Sequence, residues 1–211
     1  MPAKTDRTSD ELTSDISLSP KGMKRKLSIL DAAIALLVAE GGEHFSMNKV
    51  ATRAGISLGN LQYYFPKKAM LIEGMLQNML DIDLEKLGAV ARDTNNDALS
   101  RFSVLIDSLL KSNNNIQDVK VVTHLWSVSL YNQELNIIHD NWYSEYRDLM
   151  MHILVELNPK RSKAQLHSIT VLIISLIEGS CMLTGAGRIR HRELNNYESD
   201  LRNTILDLAT S

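Results

Sequence analysis

Two segments of this chain read as helices of only about two turns each, Met47–Ala54 and Leu58–Tyr64, set between much longer amphipathic stretches. Helices that short are marginal in isolation, so they must cross tightly and lean on a third helix. A tight crossing needs a small residue where the backbones approach, and Ala51 supplies it. The sharp turn between them needs a residue tolerant of positive φ, and Gly55 supplies that. Val50, Ala54, Ile56, Leu61 and Tyr64 fall where the inner faces meet, and Ser57 is placed to cap the second helix. The offsets are those of a helix-turn-helix; the alternative is an ordinary corner between two helices.

The flanking sequence reads as helix throughout. Met23, Leu27, Leu30, Ile34 and Leu37 mark one face of a helix from Met23 to Glu40, stopped by Gly41-Gly42. Pro66 is read as opening a long helix over Lys67–Val90. Further helices are expected over Ala98–Lys111 and Ile116–Asn132, separated by the polar break Ser112 to Asn115. Ile138, Trp142, Tyr146, Leu149, Ile153 and Leu157 mark another, ended by Asn158-Pro159. Ser162 with Gln165 forms a capping box, so a helix should run from there to about Thr184 and end at Gly185 and Gly187. Asn195 with Glu198 would cap a last helix to about Leu208. No alternating strand is legible, and 14 Gly and Pro residues with 5% aromatics suit a chain of helices. The expected fold is all-α: a three-helix head joined by a long helix to a larger helical body. Residues 1–19 are expected to be a disordered arm, 20–82 the head and 83–211 the body, with the boundary inside the long helix.

The net charge of −2 conceals an asymmetry. From Lys21 to Lys68 there are eight cations against three anions, so the remainder carries seven surplus negative charges. A basic head on an acidic body is an electrostatic footprint of nucleic-acid binding. The single cysteine, Cys181, rules out a disulfide framework. The arm lacks the apolar core of a signal peptide. The most apolar run, Ile169 to Ile177, is well short of the roughly 20 residues of a membrane span. A cytoplasmic protein without membrane attachment is expected.

On Met47 to Ala51, Ala54 to Ser57, Gly59 to Leu61, Tyr63 to Phe65 and Lys67-Lys68, the chain resembles the TetR family of transcriptional regulators. The likeness is strong over Met23 to Leu80 and elsewhere lies in length and helix order. It implies an all-helical homodimer whose subunits each carry a DNA-binding head and a body with a ligand pocket. The last two long helices of each subunit would form a four-helix bundle at the interface. Many members have an aromatic where this chain has Gln62, so the operator sequence cannot be borrowed from a relative.

With that resemblance, Asn60, Gln62 and Tyr63 become candidates for base contact, Gly59 for close helix approach, and Asn48 for a base or phosphate. Ser46, Tyr64, Lys67 and Lys68 are candidates for phosphate, and Ser57 stands with this set at the start of the recognition helix. In the body, the aromatic residues Trp126, Tyr131, Trp142, Tyr143 and Tyr146 either pack as core, the simpler reading for each taken singly, or line a ligand pocket, for which His124, Trp126, Tyr143, Arg147 and Glu178 are the chosen residues. Leu166, Ile169, Leu172, Ile173, Leu176 and Ile177 exceed what one buried face requires and are expected at the dimer interface, the alternative being a deeply buried central helix. No catalytic constellation, cofactor motif or metal-ligand spacing is legible. The expected function is a sequence-specific DNA-binding regulator, a repressor released from a pseudo-palindromic duplex operator by a small-molecule effector not yet identified. The alternatives are an activator of the same family, and a ligand-binding or catalytic helical protein that does not act on DNA.

Overall fold

The computed structural model describes residues 18–93, 95–189 and 191–210. Among them the chain forms nine α-helices and no strand. The head holds α1 (Pro20–Glu40), α2 (Met47–Arg53) and α3 (Leu58–Tyr64). The body follows with α4 (Lys68–Ala91), α5 (Ala98–Ser112), α6 (Ile116–Ser129), α7 (Gln133–Leu157), α8 (Lys163–Thr184) and α9 (Tyr197–Thr210). The expected arm lies outside the described residues except for Leu18 and Ser19.

The boundaries follow from local chemistry. Helix α1 starts three residues earlier than its apolar stripe, because the Ser19 hydroxyl accepts from the Gly22 N–H at 3.2 Å and Pro20 fits the first turn. Gly41 ends it at φ 78°. The Ser162–Gln165 capping box is present in full, and α8 ends at Thr184 as expected. Pro66 does not open α4. The N-cap is Lys67 in extended conformation, and the extra residue of turn lets Phe65, 3% exposed, enter the core before the helix starts. The last helix also starts later than Asn195 suggests. A 3-10 turn over Arg192–Leu194 takes up that stretch, and the first helical bond runs from the Asp200 N–H to the Asn196 carbonyl.

The buried apolar residues form two clusters. One joins α1, α2, α3 and the first half of α4, and it includes Val121 and Leu125 of α6 and Leu135 of α7. The other joins the second half of α4 to α5, α7, α8 and α9. Helix α4 therefore contributes to both, and α6 also reaches into the head. The Lys120 ammonium donates to the Val38 carbonyl at 2.7 Å, which ties α6 to the end of α1. In the body, buried Arg101 donates to the Ala91 carbonyl at 2.6 Å and pairs with Glu156, closing α5 on α4 and α7.

Helix α8 is 22 residues long and apolar enough, by length and composition alone, to cross a membrane. That is more than the nine-residue run suggested. Eight of its residues are buried in this fold, among them Leu166, Ile169, Ile173 and Ile177. The outward row is different: Val171 is 49%, Leu172 52% and Leu183 76% exposed, while Leu176 is half-buried. The expectation that all six leucines and isoleucines form an interface is thus corrected. Four of them serve the subunit's own core, and Leu172 with part of Leu176 faces outward.

Candidate nucleic-acid interface and effector cleft

The head is built as its residues require. Gly55 has φ +66°, and the Ile56 N–H donates to the Ala51 carbonyl at 3.0 Å across the turn. Ser46 caps α2 by accepting from the Lys49 N–H, and Ser57 caps α3 by accepting from the Asn60 N–H. Leu61 is wholly buried, a contribution of about 1.5–3 kcal/mol, and it fixes which face of α3 looks out. Gly59, Asn60, Gln62 and Tyr63 are exposed, Tyr63 at 59%. Tyr64 is half-buried and meets Tyr63 edge-on at 5.1 Å. Asn48 is exposed on α2.

The two lysines after α3 differ. Lys67 is exposed. Lys68 is exposed too, but its ammonium donates to the Phe45 carbonyl at 2.8 Å and sits 5.4 Å from the Phe45 ring centre. Part of its charge is therefore spent inside the head. Lys49 is also engaged, bonding Glu40 at 2.6 Å and holding that carboxyl below its usual range.

A basic cleft of about 680 Å³ opens where α1 begins and α3 ends, lined by Lys21, Lys24, Arg25, Ser28, Tyr63 and Tyr64 among others. These cations counted in the charge surplus of the sequence, but nothing in their spacing placed them beside the outer end of α3. That placement is a product of tertiary packing.

In the body, only part of the expected pocket comes together. Trp126, His139, Trp142, Tyr143 and Tyr146 form one ring cluster: Trp126 lies 4.5 Å from His139, and Trp142 lies 4.6 Å from Tyr143. Burial lowers the His139 pKa and raises those of Tyr143 and Tyr146. Glu178 is beside this cluster, and burial pushes its carboxyl upward. The Tyr143 hydroxyl and Trp126 indole oppose that rise, but neither completes a hydrogen bond to it. His139 was missed as a member, its signal being only its i, i+4 spacing to Tyr143.

A cleft of about 520 Å³ adjoins the cluster, between α4, α5, α6, α7 and α8. Of the five expected pocket residues only Glu178 lines it; Trp142, Tyr146, Asp83 and Asp118 are the other chemically informative walls. Arg147 is half-buried on α7 and not among the lining residues. His124 is elsewhere, and this expectation is corrected. Its imidazole packs over Gly42, where any side chain's Cβ would fall 2.4 Å from the ring, and lies 6.4 Å from Phe45. Burial, with Lys68 nearby, lowers its pKa. His124 thus belongs to the joint between head and body. Among the described residues no cluster of His, Cys, Asp and Glu suits a metal.

Comparison with known proteins agrees with this geometry. Residues 29–75 match the family model described as bacterial regulatory proteins, tetR family. A curated relative, an HTH-type transcriptional regulator in the dhlA 5' region of Xanthobacter autotrophicus, is 29% identical over 164 residues, 75% of this chain and 80% of the relative. The HTH-type transcriptional regulator RutR of Escherichia coli strain K12 is 38% identical over 69 residues, about a third of each chain (33% and 32%). In fold, the chain resembles a TetR transcription regulator from Haloarcula marismortui, with a TM-score of 0.74 over 89% of this chain and 97% of that one at 18% identity.

Proposed function

Since the chain is a member of the TetR family of DNA-binding transcriptional regulators, we propose that it is a homodimeric, cytoplasmic repressor released from its operator by a small molecule, and not an enzyme. Residues 20–82 act as the DNA-binding unit and 83–211 as the regulatory and dimerisation unit. The observation that carries the DNA reading is the outer row of α3. Gly59 has nothing within 4 Å of where a Cβ would stand, and its backbone is not left-handed. Neither internal packing nor φ calls for glycine there, and the bare helix surface it leaves lets α3 approach a groove closely. Asn60, Gln62 and Tyr63 flank it with hydrogen-bonding edges, and Lys67 with the basic cleft supplies phosphate contacts. Two such helices on a dimer would enter successive major grooves about 34–36 Å apart.

Dimerisation is supported by α8. Leu172, Ser175, Gly179 and Leu183 repeat at three or four residues along one outward row, and Gly179 also has open space where a Cβ would stand. A glycine in a helix interior costs about 1 kcal/mol relative to alanine; here it permits close approach of a second copy. Release is supported by connectivity. Helices α4 and α6 both line the cleft and both contribute to the head's core. A ligand that prefers one spacing of α4 and α6 would shift the population of head positions by its differential affinity.

The test is a base-preference profile from random duplex, taken for the wild-type chain and Gln62→Ala at one salt concentration. The glutamine amide presents a donor and an acceptor that match adenine N6 and N7. Loss of that contact should cost roughly 1–3 kcal/mol on the preferred site and relax one base position. Identical profile shapes would remove Gln62 from the base-reading set.

A further inference from the structure

We propose that the cleft between α4, α6 and α8 takes an organic cation, an amine or quaternary ammonium with an apolar body, with Glu178 as its counter-charge and Trp142 and Tyr146 as its aromatic walls. The proposal rests on the reading of this cleft as the effector site and adds the chemistry of the effector.

Charge is the first argument. The acidic lining residues are Asp83, Asp118 and Glu178, and the only basic one is Lys86. Lys86 acts on Asp83 and Asp118, lowering both against the upward effect of burial. Glu178 has no such partner: burial is its largest influence, and no cation offsets it. The Asn113 amide in the same wall is already bonded to the Ile177 carbonyl at 3.1 Å and the Ser180 hydroxyl at 2.7 Å. Glu178 is half-buried, and a partly buried carboxylate without a cation is costly, relieved by a positive ligand or by taking up a proton.

The Tyr146 hydroxyl is the second argument, independent of the carboxylates. Tyr146 is 97% buried, being 3% exposed; it lines the cleft, and its hydroxyl has no hydrogen-bond partner. An ammonium N–H is a donor that this oxygen can accept. The rings make the third. Trp142 and Tyr146 lie 6.1 Å apart with their planes 13° from parallel, and aromatic faces attract cations through the ring quadrupole. Met79, Leu87, Val119 and Val122 supply an apolar remainder. The volume of about 520 Å³ suits a small organic molecule. An anion would meet three carboxylates there, and a neutral ligand would leave Glu178 without a counter-charge.

The experiment uses the full chain and three probes of matched shape: 4-(trimethylammonio)benzyl alcohol, its neutral twin 4-tert-butylbenzyl alcohol, and 4-tert-butylbenzoate. Calorimetric titration should show the cation binding roughly tenfold or more tightly than its neutral twin. Glu178→Gln should bring the two within about threefold of each other while helicity and melting behaviour are kept. If that variant does not fold, Asp118→Asn reads the same preference and lowers it. The proposal is overturned if no probe binds, if the neutral or anionic twin equals the cation, or if the preference survives these substitutions. Fluorescence anisotropy on the selected operator separates the underlying reading. Cation binding without DNA release overturns the release reading alone; release by the neutral twin with equal affinity overturns the cation proposal alone.

Discussion

Lys67 and Lys68 carry the same charge one residue apart and do different work. Lys67 is the exposed N-cap of α4, at the end of the recognition helix and close to where phosphates of a bound duplex would run. Lys68 holds the Phe45 carbonyl, at the point where the chain leaves the 3-10 turn for α2. Lys67→Ala should therefore lower the dependence of log affinity on log salt by about one, at unchanged melting temperature. Lys68→Ala should destabilise the fold by about 1–2 kcal/mol, because the carbonyl loses a charged donor. Salt titrations of operator binding, paired with thermal melts, read both. A full salt slope in Lys67→Ala removes it from the backbone contacts, and a wild-type melt for Lys68→Ala shows the Phe45 bond to be dispensable.

Within the helix-turn-helix, two glycines serve opposite ends. Gly55 is required by conformation, since its φ of +66° costs a side chain about 1–2 kcal/mol. Gly59 is not, and alanine there should be neutral or stabilising by up to about 1 kcal/mol. Gly55→Ala is expected to lower the melting temperature, and Gly59→Ala to hold or raise it while weakening operator binding. If Gly59→Ala binds DNA as the wild type does, close approach at that position is not used. The head was readable from sequence because its short elements are dictated locally, by Ala51, Gly55, Ser57 and the spacing of Val50 and Leu61. The body was readable as helices but not as faces. Helix α8 is apolar on both sides, so periodicity alone could not tell Ile173, which meets its own core, from Leu172, which does not. His124 and Trp126 stand two residues apart on α6, and in a helix such residues point to different sides. They therefore do not share one pocket: His124 meets the head and Trp126 the ring cluster. Asp83 and Asp118 had no signal in sequence at all, because they come from separate helices and meet only across the cleft.

At the scale of the molecule, α4 and α6 line the cleft beside Glu178 and also contribute to the head's core, and α8, which bears Glu178, is the helix that offers an apolar outer row. Effector, head and partner copy would then be linked through α4, α6 and α8 without any flexible linker. The outer row is the part of this arrangement that a direct measurement can break. Leu172 and Leu183 are 52% and 76% exposed in the single chain, so glutamate at both costs little to the subunit's own fold. The same charges placed in a two-fold interface would face their own copies, and like charges across an apolar contact are strongly unfavourable. Leu172→Glu with Leu183→Glu should therefore yield a folded monomer of unchanged helicity at micromolar concentration. It should also lose most operator affinity, because a single head reaches only one half-site. Ile173→Glu is the contrasting variant: Ile173 is fully buried, and that change should impair folding itself. Sedimentation, with circular dichroism on the same samples, separates the cases. A wild-type chain that sediments as a monomer, or a double variant that stays dimeric, would place the interface elsewhere than the outer row of α8.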